Sequence, residues 1–117
     1  MISVTLLKEI LIGDNMDEKI TYIDKVRSLV KQETGLKGEG LVDCYTLLVL
    51  ALGENVTLEN IHDGWAVNMN SKKPTPYCYG HDHHSIVPFD QLSEACQNKD
   101  IPYVEALHRV ARMLKEN

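Results

Sequence analysis

Residues 41–52, Leu-Val-Asp-Cys-Tyr-Thr-Leu-Leu-Val-Leu-Ala-Leu, are apolar at every position except Asp43, Cys44 and Thr46. A run this hydrophobic seeks the interior. Periodicity alone does not say whether it is a buried strand or a buried helix. Twelve residues are long for a strand, and its leucines and alanine are good helix formers. Gly53-Glu54-Asn55 closes it. The reading is a central buried helix. With 117 residues in all, the chain supports one core and not two.

Flanking periodicities supply the rest of a bundle. Over residues 17–34, Ile20, Ile23, Val26, Leu29 and Val30 recur at three- and four-residue steps, with Gly35 as the stop. Residues 35–40 hold three glycines and read as a loop. Thr57 is placed as an N-cap, with Val56 and Ile61 as a hydrophobic staple. The helix it opens runs to about Met69, with Leu58, Ile61, Trp65 and Met69 on its apolar face. A short helix follows Pro88, with Asp90 as its cap. Asp100 caps the last helix, Pro102 sits in its first turn, and Tyr103, Val104, Leu107, Val110, Ala111 and Leu114 form the buried stripe. Before all this, Ile2, Val4 and Leu6 alternate as in a short strand, though Leu7, Ile10 and Leu11 equally suit a helix face. The fold class is mainly α: four to five short helices, one long polar loop or small β-ribbon, and a short N-terminal strand, all in a single domain over residues 1–117.

Charge and cysteine content exclude several function classes. Twelve basic against 17 acidic residues leave a net charge of −5, which opposes binding to a nucleic acid polymer. The apolar stretch 6–12 is interrupted by Lys8 and Glu9 and falls far short of a membrane span. The N-terminus carries no basic region of a secretory signal. Three widely spaced cysteines, Cys44, Cys78 and Cys96, suit free thiols in a reducing cytoplasm.

The polar interval 70–87 carries Pro74 and Pro76, which forbid a helix, and its ends could pair as a ribbon, 77–79 with 85–87. A loop of this length in so small a domain is usually functional or disordered. His81, Asp82, His83 and His84 cluster there near Cys78, but adjacent side chains on a loop rarely converge on one ion, so no metal site is assigned. No GxSxG elbow, reactive-cysteine signature or phosphate-cradling glycine motif exists, so no catalytic residue and no cofactor are assigned either. What remains is a recognition pocket. Trp65, Tyr77, Tyr79 and Phe89 are four of the seven aromatics and bracket the loop carrying His83 and His84. Aromatic faces with a few donors suit a flat heterocycle bearing hydroxyls or phosphate. On pattern alone, Trp65 and Phe89 also read as ordinary core residues.

His62-Asp-Gly-Trp65, then Tyr79-Gly80, then His83-His-Ser-Ile-Val-Pro-Phe-Asp-Gln-Leu92, then Lys99-Asp100 resembles the RyR domain, the small repeat of ryanodine receptors also found in bacterial and phage proteins. The family pattern reads H-x-x-W, then Y-G, then H-P-x-L-V-P-Y-D-E-L, then an acidic residue opening the final helix. The resemblance spans residues 57–114, with 17–52 supplying the preceding helices and 1–15 left as an unmatched extension. His84 stands where the family has proline, and the stretch after Trp65 lacks a second tryptophan common in receptor repeats.

The resemblance implies a helical module that binds rather than catalyses. Receptor repeats accommodate adenine nucleotides. By position, Trp65 would stack on a base, His62 and His83 would donate to ribose or phosphate, and Tyr79 and Phe89 would line the wall. A free-standing module can act by sequestration, as phage sponges do against signalling-based immunity in the host cytoplasm. The expected ligand is therefore an adenine nucleotide, cyclic nucleotide or ADP-ribose-like messenger. Two alternatives stay open: an enzyme using His83 with Asp82 or Asp63, and a protein-interaction module. A homo-oligomer is expected from the N-terminal alternation.

Overall fold

The computed structural model describes residues 19–72 and 86–116. The expected N-terminal strand and extension, and most of the β-ribbon, lie outside these residues. Among the described residues the fold is mainly helical, with α1 (Tyr22–Thr34), α2 (Glu39–Leu52), α3 (Leu58–Asn70), α4 (Glu94–Asn98) and α5 (Ile101–Lys115). Single 3-10 turns occupy Gly53–Asn55 and Phe89–Gln91.

Helix α1 starts where its cap allows. The Thr21 hydroxyl accepts from the Asp24 backbone N–H, and the Asp24 carboxylate accepts from that of Thr21. The start at Tyr22 is therefore set by Thr21. Gly35 ends the helix at φ 74°, a left-handed conformation that glycine adopts without a steric penalty. A short connection then returns the chain antiparallel as α2. Arg27 pairs with Glu39 and Asp43, and Lys31 with Glu39, across this hairpin. Both carboxylates are well exposed, so these pairs fix register more than they stabilise.

Helix α3 opens on a second capping box: Thr57 accepts from the Asn60 N–H, and Asn60 accepts from that of Thr57. It packs closely on α2 at Gly64, where a Cβ would lie 3.4 Å from Tyr45 and from Leu48. The last helix crosses α1, α2 and α3. Val26, Leu29, Val30, Val42, Tyr45, Val49, Ile61, Leu107 and Val110 form the centre of one hydrophobic cluster. Removing each fully buried aliphatic side chain from water contributes roughly 1.5–3 kcal/mol.

Three local expectations are corrected. Helix α2 is not buried all round: Val42, Tyr45, Thr46 and Val49 face inward, while Leu47 is 66% exposed, with Leu50 and Leu52 also exposed. A helix packed by neighbours on one side keeps an outer crest, however apolar its sequence. Cys44 is half-buried rather than sealed in the core, and burial, with the Asp43 charge, pushes its thiol up. Asp90 does not cap α4. Phe89–Gln91 is only a 3-10 turn, Leu92 is extended, and Ser93 is the cap, accepting from the Cys96 N–H. Asp100 does occupy the cap position of α5, but its side chain makes no cap bond.

Replacing Thr57 with alanine removes the hydroxyl acceptor at the start of α3. The expected loss is about 1 kcal/mol in urea unfolding, with the slope unchanged.

Candidate functional site

Thr57 fixes where α3 begins and so which residues face α5 and the chain returning at residue 86. His62 and Trp65, one helical step of three apart, share that side. His62 is 3% exposed. Its ring stacks on Trp65 at 5.7 Å between centroids and 27° between planes. Phe89 also meets the ring, at 6.1 Å and a tilt of 54°. The imidazole thus contacts both an indole on α3 and a phenyl ring on the 3-10 turn.

The edge of the ring is also occupied. Nε2 of His62 lies 2.6 Å from the Val87 carbonyl oxygen. A carbonyl can only accept, so Nε2 carries the proton and donates. This corrects the role expected for His62: its Nε2–H is committed to backbone and does not project towards a ligand. The turn is held from behind by Gln97 on α4, whose amide donates to the Phe89 carbonyl at 3.0 Å and to that of Leu92 at 3.2 Å.

Below the ring lies a small set of ionisable groups. Burial pushes the Asp100 carboxyl above its ordinary range, while the charges of His62 and Lys99 act in the opposite direction. The Tyr45 hydroxyl is likewise pushed up, by burial first and then by the Asp100 charge. Tyr45 in turn packs against Tyr103 at 6.1 Å. Trp65 itself is half-buried, so its indole is not sealed into the core.

Of the residues expected to bind a ligand, His62, Trp65 and Phe89 come together. Tyr77, Tyr79, His83 and His84 lie outside the described residues. Among the described residues no group of three or more His, Cys, Asp or Glu is placed to hold a metal ion. Gln97 was not visible as a site residue, because an amide on a short polar helix carries no pattern. His108 was also missed. It donates from Nε2 to the Val56 carbonyl at 2.7 Å, as His62 does to Val87. Its position beside the apolar stripe of α5 is the signal that marks such a clamp.

The raised Asp100 carboxyl gives a test with a definite sign. Its folded value exceeds its unfolded one, so ionisation opposes folding above the folded value, and the penalty fades as pH falls through it. Asp100→Asn removes the charge and loses no cap bond. The variant should melt higher than wild type at neutral pH, with the gap closing as the pH falls below the ordinary carboxyl value of 3.8. Thermal unfolding at neutral and at acidic pH checks this.

No curated protein and no solved structure matches the chain. A family model described as "Domain of unknown function (DUF7701)" matches residues 21–112, from the cap of α1 to the last turns of α5. The chain therefore belongs to the DUF7701 family.

Proposed function

We propose that this domain is a binding module that captures a nucleotide-derived small molecule, with Trp65 as the face on which the base stacks. The observation that carries the reading is the braced indole. Trp65 is only half-buried, and one side of its environment is fixed by a buried imidazole that is itself hydrogen-bonded to Val87. A rigid, partly open aromatic face binds a planar ring at little conformational cost.

The RyR-domain resemblance supports the same reading. Its H-x-x-W element, its V-P-F-D-Q-L element and its acidic helix-opening residue are distant in sequence. His62, Trp65, Val87, Phe89 and Asp100 from these elements surround one corner. Of the groups in this corner, the Asp100 carboxylate would accept from hydroxyl or amino donors of a nucleoside and would not favour phosphate. Donors to phosphate fall to His83 and His84. The module would hold an adenine nucleotide, cyclic nucleotide or ADP-ribose-like messenger and release it unchanged, as a sponge does.

Trp65 is the chain's single tryptophan, so fluorescence excited selectively at tryptophan reports on this corner alone. Titration with adenosine phosphates, cyclic mono- and dinucleotides and ADP-ribose should quench or shift that emission with micromolar or tighter affinity. Base stacking contributes on the order of 1–3 kcal/mol, so Trp65→Ala, followed by calorimetry, should weaken binding by roughly 5- to 150-fold. Mass spectrometry should recover the ligand intact. Absence of binding below about 100 µM across the panel would overturn the reading.

A further inference from the structure

Away from the aromatic corner, the outer crest of α2 is apolar and open. Leu47 is 66% exposed and Leu50 39%. The ion pairs of the α1–α2 hairpin give the register of what lies beside them. Arg27 meets Asp43, and four residues further along α1 Lys31 meets Glu39, four residues earlier on α2. Continuing that antiparallel register in the other direction brings Ile23 level with Leu47, while Ile20 lies just before the extended cap residue Thr21 at the same end of the hairpin. Ile20 and Ile23 are both only half-buried. The hairpin therefore carries a polar, ion-paired end and an apolar end, and the apolar end is where the chain enters.

We propose that residues 2–12 of the same chain dock on this apolar end and cover Leu47 and Leu50. Eighteen residues precede Lys19, where the described chain starts, and they join it at the Ile23 end of the hairpin, the end that carries Leu47 and Leu50. Ile2, Val4, Leu6, Leu7, Ile10, Leu11 and Ile12 make the segment strongly apolar, and its single lysine and single glutamate leave no net charge to oppose docking. Residues 13–18, Gly-Asp-Asn-Met-Asp-Glu, contain turn-forming types. At up to about 3.3 Å per residue they span about 20 Å, ample to reverse direction. The strip from Leu50 to Asp43 is roughly 10 Å long, which an eleven-residue segment covers in either helical or extended form.

The segment also lies outside residues 21–112, the part matched by the family model. A second copy is a poorer occupant. The strip offers only a few side chains, well short of the area a stable pair of proteins buries. Two crests brought together would also set the exposed Asp43 carboxylates against like charges, against each other in parallel or against Glu54 in antiparallel. A tethered segment gains from its high effective concentration.

Limited trypsin digestion of the native full chain tests this, read as release of residues 1–8 by cleavage after Lys8. Proteolysis of a docked segment follows its opening equilibrium. Wild type should be cut slowly, and Leu47→Glu with Leu50→Glu about tenfold faster, with unchanged helical circular dichroism. Ile10→Glu, which leaves the helical core untouched, should give the same acceleration from the other side of the contact. Equal cleavage rates in wild type and variants would overturn the proposal. Protection that grows with protein concentration would overturn it too, because it would assign the face to a second copy.

Discussion

The hydrogen bond from His62 to the Val87 carbonyl is the joint between two parts of this domain. One part is the core of α1, α2, α3 and α5, which buries the aliphatic side chains. The other is the segment from Ile86 to Leu92, which has no regular hydrogen-bonded ladder of its own. That segment returns beside α3 only because a buried imidazole offers it a donor, and because Gln97 accepts the task of holding the next two carbonyls. An unpaired buried ring N–H would cost about 1–3 kcal/mol, so the bond is a condition of burying His62 at all. Trp65 and Phe89 both pack against the ring held by this bond.

Sequence patterning disclosed the helices well, for clear physical reasons. Val26, Leu29 and Val30 repeat with the helical period, and Gly35 and Thr57 carry backbone conformations or hydroxyls that helix ends require. The outer crest of α2 was not readable, because Leu47 and Leu50 are as apolar as Val42 and Val49, and only the placement of α1, α3 and α5 separates them. The start of α4 went wrong for a similar reason. Asp90 and Ser93 are both good caps, and the choice depends on where the 3-10 turn after Pro88 runs out.

The candidate site was legible in part. A His and a Trp three apart on a helix predict a shared face, and they stack. What the ring nitrogen bonds to could not be inferred, since its partner is a main-chain carbonyl 25 residues away and carries no side-chain signal. The same holds for His108 and Val56. In both cases a histidine ring nitrogen serves the backbone, and for His62 this replaces the ligand-donor reading that the sequence suggested.

The imidazole of His62 offers the most direct check on this architecture. Nitrogen-resolved NMR of the side chain reports which ring nitrogen bears the proton and how fast that proton exchanges with water. A protonated Nε2 with slow exchange is the predicted result, as for a donor buried against a carbonyl. A neutral ring protonated only at Nδ1, or an Nε2 proton exchanging at the rate of an exposed imidazole, would contradict it, and the braced corner around Trp65 would no longer have a cause.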